Sequence, residues 1–314
     1  MARATPAAGP ILPPALRDPL IVLDDFLPAE LAEVMRLSLD DHFAQAEDRR
    51  PDQPIWDFRF KHERHAFLSA APEKVLQHSN LLDFHERLRA WSLDALGLAQ
   101  VSWPHLNLFV GGCREGLNNE ARGGRFGFTY SLTRNQRRTS GGETIIHREG
   151  DPVRDPAAGL SLFDTVEPRF NRLIVYDRRA PRMIERVEGS MDPREGLLVL
   201  QGQLSESGPI VAGALAADAV VPAAAEVVRA FVENAFLDGY HGVIVLRLDV
   251  EPGGVVGSCR LLLDRVLHPS SEDRRWPGLA GDLIARFAAL RFAEAAGPSV
   301  VIVPLSFGPQ TSSA

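Results

Sequence analysis

The stretch "CREGLNNEARGGRFGFTYSLT", Cys113 to Thr133, decides how this chain is read. It has the build of a metal-binding loop feeding a β-strand. Amide and carboxylate side chains sit at Asn118 and Glu120, Gly123-Gly124 marks a turn, and an apolar run leads through Tyr130 to Thr133. Four similar runs surround it between Val101 and Leu204: "WPHLNLFVGG", "GGETIIHRE", "FNRLIVYDRR" and "GLLVLQGQL". Short β-rich segments split by Gly, Pro and charged turns predict a sandwich or jelly roll.

Outward from this core the texture changes twice. On the amino-terminal side, "PLIVLDDFLPAELAEVMRLSL" predicts a short strand at Leu20 to Leu23. A helix then carries Leu31, Val34, Met35 and Leu39 at helical spacing. "PEKVLQHSNLLDFHERLRAWSLDALGL" predicts a second helical region ending near Gly97, and "PIWDFRFKHERHAFL" between them is a strand or an ordered loop. On the carboxy-terminal side, "AAAEVVRAFVENAFL" predicts a helix burying Val227, Val228, Phe231 and Phe236. Two strands then flank Glu251-Pro252-Gly253-Gly254, followed by a helix around "PGLAGDLIARFAALRFAEAA" and a strand "SVVIVPLSF". The expected organisation is a flexible arm over 1–18, a jelly-roll domain over 19–205, a linker over 206–221 and a small α+β domain over 222–314. The fold class is α+β with a mainly β core.

Composition narrows the function. With 45% hydrophobic and 24% charged residues, the 314-residue chain has enough apolar material for a soluble core in each part. A formal net charge of −7 argues against a nucleic-acid partner, because such proteins concentrate positive charge. The two cysteines, Cys113 and Cys259, sit in no paired ligand motif and suit a reducing, cytoplasmic setting. No apolar run reaches the roughly 18–20 residues of a membrane span.

From His105 to Leu204 the chain resembles the 2-oxoglutarate/Fe(II)-dependent oxygenases of the prolyl-hydroxylase-like group. The resemblance runs through the opening stretch, then "GGETII", then "FDTVEPRFNRLIVYDRRAPRMIERVEGSMDPREGLLVL". It implies a double-stranded β-helix that holds iron with a His-x-Asp pair and a distant His, and 2-oxoglutarate with an Arg on a late strand. The tail after Pro222 resembles the carboxy-terminal domain of TonB-type proteins. Carried across, the first His falls on Asn118 and the Asp on Glu120. The distal His falls on Arg182 of "DRRAPR", and the 2-oxoglutarate Arg on Leu197 of "EGLLVL".

These substitutions carry chemistry. An amide oxygen at Asn118 binds iron weakly, Arg182 has no lone pair to offer a metal, and Leu197 cannot anchor a dicarboxylate. The expected cofactor set is therefore empty, with Fe(II) and 2-oxoglutarate lost. An unpaired Glu120 in the vacated space is costly, so its expected partner is the Arg182 guanidinium, with Asn118 completing the hydrogen bonds. Arg125, Tyr130, Thr133 and His105 are candidate pocket residues.

The leading functional reading is a catalytically degenerate oxygenase-fold protein acting as a binding or scaffolding protein, with a protein partner or a second copy of itself. An anionic small-molecule ligand also fits. A first alternative is a metal-independent enzyme with Glu120 as acid or base and Arg182 as anion binder. A second is an iron oxygenase with unconventional ligands such as His105 or His147. Bland readings apply elsewhere. His62 and His65 are surface or lightly packed histidines, His147 and Glu149 end a strand, Gly141-Gly142 is a turn, and Cys113 is a free thiol.

Overall fold

The computed structural model of the protein describes residues 19–45, 54–62, 64–118, 126–134, 138–148, 162–270, 273 and 275–308. They form two compact units, one built from residues 19–91 and 99–205, the other from 92–98 and from residue 206 onward.

The first unit begins with β1 (Leu20–Leu23), α1 (Ala29–Ala44), β2 (Asp57–Lys61), β3 (His65–Ala70) and most of α2 (His78–Leu96). There follow β4 (Gln100–Val101), β5 (His105–Phe109), β6 (Arg114–Asn118), β7 (Phe126–Ser131), β8 (Thr139–Ser140) and β9 (Thr144–His147). The unit closes with β10 (Phe163–Val166), β11 (Arg172–Asp177), β12 (Arg182–Ile184), β13 (Glu188–Gly189) and β14 (Leu197–Ser205). Twelve of these strands make one antiparallel, curled sheet in the order β1-β11-β7-β14-β5-β3-β6-β12-β9-β10. In it β2 lies beside β3 and β4 beside β14, while β8 and β13 pair separately. This is the mainly β, jelly-roll architecture expected from the strand texture.

Burial explains why some of these strands read as runs and others as alternations. All six residues of β7 and of β11 are buried, so both strands are covered on two faces, with Thr129, Ser131, Arg172 and Asp177 as buried polar members. Leu81, Phe84 and Leu88, one face of α2, are likewise fully buried. Each such side chain contributes roughly 1.5–3 kcal/mol by leaving water. On α1 the inner face is Ala32, Met35, Arg36 and Leu39, and Val34 is exposed rather than buried. Arg36 is only 2% exposed, and its guanidinium is satisfied by Leu132 O at 2.9 Å, Arg194 O at 2.7 Å and Asp40 at 2.8 Å. That ties the amino-terminal helix to the loops after β7 and before β14.

The second unit is a four-stranded antiparallel sheet, β15 (Ile210–Gly213), β18 (Ser299–Phe307), β16 (His241–Val250) and β17 (Val256–Leu267), in that order across the sheet. The helices α3 (Ala217–Asn234) and α4 (Trp276–Ala288) supply Phe231, Leu283 and Phe287 to a core with Ile244, Leu246 and Leu248 of β16. The stretch read as a linker contains β15 and the first turns of α3. The turn between β16 and β17 closes with Gly254 at φ 75°, donating to Glu251 O at 2.9 Å. Phe236, expected on the buried side of α3, lies beyond the end of that helix and is 66% exposed, with the Arg275 guanidinium 5.4 Å from its ring centroid. Among the described residues no helix is long and apolar enough to cross a membrane.

Candidate functional site

A cavity of about 320 Å³ opens on the concave side of the large sheet. Strand alternation builds its walls. On β3, His65, Phe67 and Ser69 point inward, and Arg59 of β2 lies in register with Phe67 on the same face. His105 and Asn107 come from β5, Asn118 from the end of β6, and Gln201 and Gln203 from β14. The remaining wall is the segment from Tyr176 to Arg182, which also contributes Arg178 and Ala180.

That last segment is shaped by Asp177, which is fully buried. Its carboxylate accepts from the Arg179 backbone N at 3.0 Å and pairs with the Arg179 side chain at 2.5 Å, while its carbonyl accepts from Ala180 N at 3.1 Å. The tight turn delivers Arg178 and Arg182 to the cavity. Arg182 is 7% exposed. Its Nη2 donates to Glu115 Oε1 at 2.9 Å, and its Cζ lies 4.6 Å from the centroid of the Tyr176 ring. Asn118 Nδ2 donates to the same Glu115 oxygen at 3.1 Å. Burial pushes the Tyr176 phenol above its ordinary value, opposed by the Arg182 cation.

Arg59, Arg178 and Arg182 give the cavity three guanidinium groups, and no carboxylate lines it among the described residues. This polarity opposes the acidic net charge of the chain. The arrangement suits an anion with a hydrogen-bonding body, because guanidinium groups form charge-assisted bonds with carboxylate or phosphate.

The candidates named from sequence divide among several places. His105, Asn118 and Arg182 all line the cavity. Glu120 and Arg125 lie outside the described residues, as does Glu149. Arg182 lines the cavity, and its described carboxylate partner is Glu115 of β6. Tyr130 and Thr133 do not line the cavity. Tyr130 is fully buried and donates to Asn171 Oδ1 at 2.9 Å, and the Thr133 backbone and hydroxyl are bonded to Ser131 Oγ and to β14 at Leu198. Leu197 is buried in β14 and does not line the cavity either. His147 is half-buried, edge-on to Phe163 at 5.6 Å, and His62 is exposed. His65, read as a surface or lightly packed residue, lines the cavity beside Phe67. Cys113 is free and buried, and burial pushes its thiol above the ordinary value.

Residues that went unremarked in the sequence are Arg59, Asn107, Glu115, Tyr176, Arg178, Gln201 and Gln203. A signal did exist. Polar residues at every second position of otherwise apolar strands, as in His105-x-Asn107 and Gln201-x-Gln203, mark a polar strip inside a β core.

The resemblance implies ferrous iron, and the described residues do not fit it. The position of the distal ligand holds a protonated guanidinium, which repels a metal cation and has no lone pair. The position of the first ligand holds an amide whose nitrogen is turned to Glu115. Among the described residues no group of three or more His, Cys, Asp or Glu is placed to hold a metal ion.

No family model matches the chain, and no curated protein matches it. Solved structures do. One is a prolyl-4-hydroxylase from Pseudomonas putida, 13% identical, covering 60% of this chain and 94% of that one with a TM-score of 0.42. Another is a prolyl hydroxylase from Trichoplax adhaerens in complex with a hypoxia inducible factor oxygen degradation domain peptide fragment. It is 12% identical and covers 60% of this chain and 84% of that one, with a TM-score of 0.45. A third is a non-heme α-ketoglutarate-dependent epimerase from nogalamycin biosynthesis, 12% identical, covering 61% and 78% with a TM-score of 0.43. By description these are two prolyl hydroxylases and one α-ketoglutarate-dependent enzyme, and the chain is similar to them at TM-scores below 0.5.

Proposed function

We propose that this protein uses an oxygenase-type jelly roll as a binding module, without iron, and that the ligand of its cavity is an anionic small molecule. The observation that supports this most directly is Arg182. Its guanidinium is held by Glu115 and by the face of Tyr176, at the position where the family pattern sets a metal-binding His. Arg178 and Arg59 add two more cations to the same walls. A cavity so charged favours a carboxylate or phosphate over a divalent metal. Its role is then that of a binding or scaffolding protein whose ligand reports to a partner, rather than a dioxygenase.

Calorimetric titration with inorganic phosphate at low ionic strength tests this. Saturable binding is expected, weakened about tenfold or more in Arg182→Leu and weakened again by added salt. Equal affinity in the wild type and Arg182→Leu would remove the cavity from consideration.

A further inference from the structure

We infer that the anion taken by this cavity is polyhydroxylated, a sugar phosphate or a sugar carboxylate, and that a neutral ladder of side chains across the sheet reads its hydroxyl groups. This deepens the anion-binding reading above and rests on it.

The ladder crosses four neighbouring strands. Asn107 of β5 donates from Nδ2 to Gln201 Oε1 of β14 at 2.6 Å. Gln201 Nε2 reaches Thr129 Oγ1 of β7 at 3.4 Å, a long contact, and Thr129 is bonded in turn to Tyr176 of β11. Each amide is thereby oriented by the next, with its nitrogen facing along the sheet toward Tyr176. This leaves one group unused at the start of the ladder. Asn107 is 5% exposed and lines the cavity, yet its Oδ1 is buried and accepts no hydrogen bond among the described residues.

A buried amide oxygen without a donor costs about 1–3 kcal/mol, and native proteins rarely leave one. The missing partner has to be a donor. At neutral pH a carboxylate has no hydrogen to donate and inorganic phosphate keeps only one or two O–H groups, against the several hydroxyls of a sugar anion, so a simple anion serves the arginines better than it serves Asn107. A ligand that carries hydroxyl groups beside its anionic group satisfies both. The cavity volume of about 320 Å³ sits at the small end of the ~300–1,000 Å³ range of ligand pockets, which fits a monosaccharide anion better than a nucleotide.

Calorimetry with glucose 6-phosphate, ribose 5-phosphate and gluconate, each set against inorganic phosphate, acetate and glucose, separates the possibilities. At least one sugar anion is expected to bind about tenfold or more tighter than phosphate, acetate and glucose. That preference is expected to fall toward one in Asn107→Leu and, as a second and less buried change, in Gln201→Met. Preference among the three sugar anions then distinguishes a phosphate from a carboxylate source. Sugar anions that bind no tighter than phosphate and acetate would overturn the ladder inference and leave the anion reading standing. Binding of no anion at all, simple or sugar, would overturn both.

Discussion

Arg182 and Glu115 stand 67 residues apart in the chain and meet at 2.9 Å between adjacent strands, β12 and β6. Both side chains are largely buried. Removing one member of such a pair leaves the other charged and unpaired in low dielectric, which costs more than the pair contributes. Arg182→Met is therefore expected to destabilise the protein by about 3 kcal/mol, and Glu115→Leu combined with Arg182→Met by much less. Urea unfolding of the two single variants and the double variant measures the coupling. Additive losses would show that the two charges do not depend on each other.

Gly127 connects the fold to the site. A Cβ at this position would come 2.5 Å from the Tyr176 ring, so glycine lets the ring that faces Arg182 lie close against β7. Gly127→Ala is expected to cost about 1–3 kcal/mol through overpacking and to weaken phosphate binding, because Tyr176 must shift under Arg182. An alanine variant with unchanged stability and unchanged phosphate affinity would contradict this.

Asn171 sits at φ 60° and fastens the amino-terminal segment to the sheet. Its Oδ1 accepts from Leu27 N at 2.9 Å and from the Tyr130 hydroxyl at 2.9 Å, and its Nδ2 donates to Leu27 O at 2.8 Å. Tyr130→Phe removes one donor and leaves Asn171 satisfied, so a loss of about 1 kcal/mol is expected. Asn171→Ala strands three buried polar groups at a backbone angle that disfavours alanine, and a loss of about 3 kcal/mol or more is expected. Thermal unfolding of both variants should rank them in that order.

Burial pushes the Cys259 thiol of β17 up to about 12 from its ordinary 9.0. The unfolded chain ionises this thiol first, so its contribution is complete below pH 9 and is lost as pH rises from 9 toward 12. Between pH 8 and pH 10 the second unit should lose stability more steeply in the wild type than in Cys259→Ala. Parallel pH profiles for the two would show that the thiol is accessible to solvent in the folded protein.

Legibility in the sequence followed burial and register. The strands β5, β7, β9, β11 and β14 were visible as short β-rich runs between turns, and of these β7 and β11 are buried along their whole length. The side-chain chemistry at Arg182 and Asn118, a cation and an amide, was readable from residue type alone. The partner of Arg182 was not. Arg182 pairs with Asn118 while Ile184 pairs with Glu115, so four residues of β6 face three of β12, and that irregularity brings Glu115 under the guanidinium. The partner that motif spacing pointed to, Glu120, lies outside the described residues. The cavity wall was hidden for a similar reason: β3 lies between β5 and β6 in the sheet, which places His65, Phe67 and Ser69 beside residues some forty positions later or more. Phe236 was misplaced because helical spacing was extended past Asn234, where the helix ends.

An anaerobic titration of metal-stripped protein with Fe(II), with and without 2-oxoglutarate, bears most directly on the proposal that this jelly roll works without iron. The expected result is no stoichiometric iron and no visible charge-transfer band, in the wild type and in Glu115→Gln alike. Tight binding of one iron per chain, with a band on adding 2-oxoglutarate, would contradict it and would show that other residues supply the ligands.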